Sequence, residues 1–279
     1  MIVLNPRRVA AVMLGTAAAL VAASSAGQLI LYSSGHDHVF GFVPRFSLLQ
    51  EANVPTWYAS TTLLFCAVLL GVVARMERDA GSPYALHWKL LALVFLYLSL
   101  DEAAELHELL VLPLRATLNA GGLFYYAWVV PGIAVLAVLA VAYARFLLHL
   151  PAPTRRLFLV AAATFVGGAL GAEMVGGAWV ESRGAGHPVS VLIGSVEEAL
   201  EMVGIAVFAY ALLLHLELRG GAVTIRVRSG GGGAGAGDQA AGGGGRRARD
   251  ARRRHEGETW PGTSRTRGLV GSQTALRSD

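Results

Sequence analysis

The sequence predicts an all-α fold: a polytopic membrane helix bundle of six transmembrane helices, followed by a disordered C-terminal tail. Three observations lead there. Hydrophobic residues make up 54% of the chain and charged residues only 15%, and the mean hydropathy of +0.52 is well above that of a soluble domain of this length. The apolar residues collect into runs of roughly 17 to 25, the length needed to cross a bilayer. Charge is segregated: residues 1–218 hold 11 Lys+Arg against 14 Asp+Glu, whereas 219–279 hold 12 against 5, so the basicity of the chain belongs to its tail.

The spanning runs are residues 9–32, 57–74, 123–143, 157–180 and 191–214, with a further run that starts at Leu90 and continues into an acidic motif. Connections between them are too short for an extramembrane domain, so 1–218 reads as the transmembrane helical domain and 219–279 as a Gly/Arg-rich tail. The first run also has features of a cleaved signal peptide, a basic start and small residues near Ala26. It is, however, long for an h-region of roughly 7 to 15 residues. Residues 33–58 mix Phe40, Phe42, Phe46, Trp57 and Tyr58 with polar groups, the composition of a loop in the membrane interface. Pro131 is expected to kink the fourth helix and Pro113 to end the third.

Orientation follows from the short loops. Arg7, Arg8, Arg75, Arg78, Lys89, Arg145, Arg155 and Arg156 fall on one side, against Arg45, Arg115 and Arg183 on the other. The richer side is cytoplasmic, which with six spans puts both termini in the cytoplasm of a bacterial cell and the bundle in its inner membrane. From Gly220 onward the chain cannot bury enough apolar area to offset its entropy. The cluster Arg246, Arg247, Arg249, Arg252, Arg253 and Arg254 suits contact with anionic lipid headgroups, and nucleic acid is the less favoured partner.

Several chemistries lack their usual support. There is no GxxxxGK[ST], no GxGxxG after a strand, no GxSxG and no HExxH, so no nucleotide cofactor and no catalytic residue is assigned. The single cysteine, Cys66, excludes a disulfide framework and a cysteine-based zinc site.

The acids inside the spans are the unusual feature. At about 1.5 Å of rise per residue, a helix entering near Leu90 lifts Asp101 roughly 17 Å, Glu105 roughly 23 Å and Glu108 roughly 27 Å. A helix rising from Leu157 lifts Glu173 roughly 24 Å, and one descending from Val191 holds Glu197, Glu198 and Glu201 roughly 9 to 15 Å below the outer surface. Three helices thus deliver carboxylates to one outer-half layer. At about 100° per residue, Asp101, Glu105 and Glu108 fall within about 60° of one another, with Glu102 on the flank and His107 further round, while Glu197, Glu198 and Glu201 fall within about 100°. Gly167 and Gly171 make a small-xxx-small pair for close helix contact, and Gly176 and Gly177 remove bulk beyond Glu173.

None of these spans carries a Lys or Arg beside the acids. Buried ionised carboxylates are too costly to leave alone, so they share protons, meet water or bind cations. Asp101, Glu102, Glu105, His107, Glu108, Glu173, Glu197, Glu198 and Glu201 are the candidate ligands of a divalent cation. Oxygen-rich ligation suits Mg2+, Ca2+ or Mn2+, and imidazole from His107, or from His36 or His38 in the outer loop, admits iron or zinc. Two further readings use the same residues: a cation- or proton-coupled transporter, for which so short a chain calls for a homodimer, and a structural or assembly protein with the tail as its interaction element.

The motifs "SLDEAAELHE", "GALGAE" and "EEALEMVG" resemble those of uncharacterised polytopic bacterial membrane proteins carrying paired DExxxLHE and EExLEM helices. The resemblance covers roughly residues 88–215. It implies that Asp101, Glu102, His107, Glu108, Glu173, Glu197, Glu198, Glu201 and Met202 form one unit, and it implies no activity.

Overall fold

The computed structural model describes residues 2–35 and 39–220, together with the strand residues 224 and 225. The arginine cluster of the tail, His36 and His38 lie outside the described residues. Among those described are eight helices: α1 Pro6–Ser34, α2 Phe42–Phe46, α3 Val54–Asp79, α4 Ala85–Ala104, α5 Val111–Leu118, α6 Val129–His149, α7 Ala152–Arg183 and α8 Pro188–Leu218. A short antiparallel pair, β1 Ile2–Val3 and β2 Thr224–Ile225, joins the two ends of the bundle sequence, with Ile2 opposite Ile225.

Local chemistry sets the helix boundaries. Asn5 caps α1 by accepting from the Arg8 N–H at 3.1 Å, Asn53 caps α3 through the Thr56 N–H at 3.2 Å, and His187 caps α8 through the Val189 N–H at 3.2 Å. Each cap is followed closely by a proline, Pro6, Pro55 or Pro188, whose fixed φ and missing N–H are harmless in a first helical turn. Gly35 ends α1 in the left-handed region at φ 68°.

Five helices, α1, α3, α6, α7 and α8, are long and apolar enough to cross a membrane. The sequence predicts six. The remaining run forms α4, whose 20 residues include Lys89, Asp101 and Glu102, and these charges are what separate it from the other five. Chain reversals at alternate ends give the bundle a basic end, with Arg7, Arg8, Arg75, Arg78, Lys89, Arg145, Arg155 and Arg156, and an acidic end, where Glu51 and residues 101–108 lie.

Helix α8 is the central element, with 61% of its spanning window buried, and α6 the most peripheral, with 11%. The main core is Leu63, Cys66, Leu70 and Val73 of α3, Trp88 of α4, Phe146 of α6, Phe158 of α7 and Leu212, Leu213 and Leu216 of α8. Trp88 sits edge-on to Phe146 at 4.9 Å and to Phe158 at 5.9 Å. Helices α3 and α4 are clasped by reciprocal hydrogen bonds, Ser60 Oγ to Ser99 O at 2.7 Å and Ser99 Oγ to Ser60 O at 2.8 Å, the way hydroxyls join helices in an apolar medium. Helix α1 belongs to the packed structure: Met13, Ala17 and Leu20 are buried, and Tyr58 Oη donates to Met13 O at 2.7 Å.

Four expectations are corrected. The third helix does not run on through the acidic motif but stops at Ala104, because Glu105 takes a left-handed conformation, φ 53° and ψ 39°. Pro113 therefore does not end that helix; it sits in the first turn of α5. The fourth span starts at Val129, not near Leu123, so Pro131 falls in the first turn of α6 where it removes no helical hydrogen bond and forces no kink. The close-contact glycines are not Gly167 and Gly171, beside which an added Cβ would meet nothing within 4 Å. They are Gly168, where a Cβ would come within 2.7 Å of Glu197 O, and Gly204, where it would come within 2.8 Å of the Phe165 backbone.

Candidate functional site

The acidic end is assembled from interruptions in otherwise regular helices. At the top of α4, Asp101 Oδ1 accepts from the His107 N–H at 2.9 Å, and Asp101 Oδ2 lies 3.0 Å from His107 Nδ1. A carboxylate that captures an N–H six residues on offers the backbone an alternative to the helical ladder. The left-handed turn at Glu105, which costs a non-glycine residue roughly 1–2 kcal/mol, is the geometric consequence. The chain folds back through the 3-10 turn Glu108–Leu110 into α5.

In α7 the interruption is a π segment, Gly167–Ala172, immediately before Glu173. Wide turns of this kind are often found at functional sites, and its glycines let α8 approach until Gly168 lies against the carbonyl of Glu197. Glu173 Oε1 accepts from Trp128 Nε1 at 3.0 Å, and the Trp128 ring lies 4.7 Å from that of His107. Glu197 of α8 is a close electrostatic neighbour of Glu173.

Around this pair the other acids gather. Glu102, Glu51 and Glu173 are the electrostatic neighbours of Glu198; Glu198, Glu102, Glu173 and Glu51 are those of Glu201. All of the helical members, Glu102, Glu173, Glu197, Glu198 and Glu201, are half-buried. The structure thus brings together Glu102, Glu173, Glu197, Glu198 and Glu201 of the predicted set. Asp101 and His107 form their own pair beside them. Glu105 and Glu108 do not share a helical stripe with Asp101; they stand at the rim, where their charges reach Glu51, and Glu108 is exposed. His187 is occupied, its Nδ1 accepting from Trp179 Nε1 at 3.3 Å as well as capping α8.

Glu51 is the member that sequence reasoning missed. It lies in the loop before α3, where Asn53 Nδ2 donates to Ser47 O and Gln50 O, each at 2.6 Å, and Thr56 Oγ1 donates to Glu51 Oε2 at 3.3 Å. The clue available in sequence is its place two residues before an N-cap asparagine and Pro55, a spacing that ties the acid to the mouth of a span. Burial, then the charge of Glu105, raises its carboxyl above the ordinary 4.5. His107 is raised above 6.5: burial opposes its charged form, but the hydrogen bond and charge of Asp101, with Glu108 and Glu173, outweigh that. Trp128 and Tyr126 were also missed. Burial, with Glu173 behind it, pushes the Tyr126 hydroxyl up to about 12.

Among the described residues, no group of three or more His, Cys, Asp or Glu side chains is arranged to hold a metal ion, and no Lys or Arg is ion-paired with the gathered acids.

Long apolar helices around a half-buried polar layer define the class: this is an all-α, multi-pass membrane protein. Residues 9–216 match the family DUF8692, described as a domain of unknown function, and the chain belongs to that family. The match runs from the first span to the last, further than the motifs of residues 88–215 reach. No curated protein and no solved structure matches the chain.

Proposed function

We propose that the chain is a six-span protein of the bacterial inner membrane, with both termini cytoplasmic, whose acidic layer in the outer half of the bilayer binds a cation in exchange for protons. The terminal strand pair supports an even number of crossings, since Ile2–Val3 and Thr224–Ile225 can pair only if both ends are on one side. Helix α4 supplies the sixth crossing, its 20 residues spanning about 30 Å. The basic end faces the cytoplasm by the excess of Lys and Arg in its short connections.

The observation that carries the site reading is the convergence of Glu51, Glu102, Glu173, Glu197, Glu198 and Glu201 from four elements with no ion-paired cation among the described residues. Oxygen ligands of this kind favour Mg2+, Ca2+ or Mn2+, and His107 adds an imidazole for iron or zinc. Because among the described residues no three side chains stand ready in ligating geometry, a cation has to draw the carboxylates together as it displaces their protons. Proton release is therefore the signature of binding.

Titration calorimetry of the purified protein with Mn2+, Mg2+, Ca2+ and Zn2+, in buffers of different ionisation enthalpy, tests this. Binding should release at least one proton per cation and weaken at least tenfold, about 1.4 kcal/mol, in Glu198→Gln and Glu201→Gln. A folded wild-type protein that binds none of the four ions ends the reading. A second reading, cation- or proton-coupled transport, is favoured by the two interruptions beside the acids, the left-handed Glu105 and the π segment, since broken helices accompany ion sites in transporters. Cation flux into proteoliposomes that depends on a proton gradient, and is lost in Glu201→Gln, distinguishes it.

A further inference from the structure

A second polar feature lies outside the acidic layer, along the α5 segment. A groove of about 450 Å3 is lined by Leu112, Arg115, Ala116, Asn119 and Ala120 of the α5 region and by Glu181 near the end of α7. Its two charged residues are of opposite sign, yet among the described residues Arg115 makes no ion pair with any acid. Arg115 instead lays its guanidinium over the Tyr125 ring at 3.7 Å. Stacking of that kind fixes the plane of the group and leaves its edge N–H donors to bind something else. One carboxylate oxygen of Glu181 accepts from the Gly122 N–H, and among the described residues no other hydrogen bond occupies the group.

The surroundings say what kind of molecule comes here. Leu109, Leu112 and Leu118 are 70%, 74% and 50% exposed, and they lie in the connection between α4 and α6, helices whose Leu96, Leu100, Val130 and Ile133 are exposed as well. The groove therefore lies in the connection after α4 and beside the end of α7, which in a membrane-spanning bundle is headgroup level. A guanidinium edge and an amide bind a phosphate, and a carboxylate lining the same groove binds an ammonium while repelling a second negative charge.

We infer that this groove binds the headgroup of an aminophospholipid, with the phosphate on Arg115 and Asn119, the primary ammonium on Glu181, and the acyl chains running down the exposed leucines. The bound lipid fastens α5, and with it the Asp101–Glu108 turn, to the membrane interface. This site rests only on the membrane placement of the spans and is independent of what the acidic layer binds.

Native mass spectrometry tests it on the full-length protein released from vesicles of phosphatidylcholine doped equally with phosphatidylethanolamine and phosphatidylglycerol. The expected result is one retained phosphatidylethanolamine, at least tenfold over phosphatidylglycerol, with retention falling at least tenfold in both Arg115→Gln and Glu181→Gln. Glutamine keeps an acceptor for the Gly122 N–H, so the second variant retains the loop. Arg115→Lys, which keeps the charge and loses the fork, should fall between. Three results overturn the inference: phosphatidylglycerol retained in preference, with only the Arg115 variants affected; no lipid retained above bulk composition; or a dimer that occludes the groove, seen as protection of a label at Leu112→Cys from both lipid-soluble and water-soluble reagents. The native Cys66 is fully buried and does not compete for the label.

Discussion

The two ends of the bundle treat polar groups in opposite ways. At the basic end, charge is paired or exposed: Glu77, nearly buried, is held by Arg219 at 3.0 Å, Arg75 and Asp79 pair in solvent, and Trp88, Phe146 and Phe158 close over an apolar core. At the acidic end, half a dozen carboxyl groups gather with no described Lys or Arg paired to them, and the backbone departs from α-helix at Glu105 and at Gly167–Ala172. Stability is concentrated where the helices are regular. The acids gather where they are interrupted.

Breaking the basic end should cost stability and spare cation binding, and the largest effect is expected at Trp88, which is 1% exposed. Trp88→Ala should lose about 3–5 kcal/mol by unfolding in mixed micelles, while proton-coupled cation binding in the surviving folded fraction is unchanged. Next comes Gly204→Ala, which pushes a methyl against the Phe165 backbone and should cost about 1–3 kcal/mol. Its control is Gly171→Ala, with open space around it, for which a change within about 0.5 kcal/mol is expected. Equal losses at the two glycines would contradict the α7–α8 contact described above.

Smaller still is Arg219→Ala. It strands the buried Glu77 carboxylate, but the arginine side chain is 42% exposed and water enters its place, so about 1–2 kcal/mol is expected rather than the full cost of breaking a buried pair. The smallest effect sharpens the comparison from the acidic end. Glu51 has its folded value raised above 4.5, so its favourable contribution is present below that pH and is lost as pH rises through the folded value. Glu51→Gln cannot ionise. Its melting temperature should fall less steeply across that window than that of the wild type and lie above it at pH 7; a variant that melts below wild type at pH 7 would show that the carboxylate is favourably solvated or paired.

Much of the architecture was legible because hydropathy is a strong, additive signal. The runs 9–32, 57–74, 157–180 and 191–214 each lie inside an observed helix, and the depth estimate puts Glu173 level with Glu197 on residue counting alone. What could not be read were departures from the ideal helix. Asp101, Glu105 and Glu108 share a face only at a constant turn of about 100° per residue, and in this stretch one side chain, Asp101, captures the backbone of His107 and ends the helix. Nothing in the composition of "DEAAELHE" marks that, since Ala, Glu and Leu are all good helix formers. Similarly, "GGALGA" reads as a packing motif, and only the π geometry shows that Gly168, not Gly167 or Gly171, meets the neighbouring helix. Glu51 escaped notice for a different reason: loop residues have no periodicity from which to infer a direction.

The π segment sets the phase of everything beyond it. Each residue added to or removed from a helix turns the downstream part by about 100°, so the rotational setting of Glu173, and of Glu181 two turns later, depends on the wide turn at Gly167–Ala172. Deleting one residue there would leave α7 its hydropathy and nearly its length, yet swing Glu173 away from Trp128 and Glu197 and carry Glu181 off its groove. The acidic layer and the Arg115 groove, though chemically separate, are therefore keyed to the same register, and a change of one residue in this segment would disengage both at once.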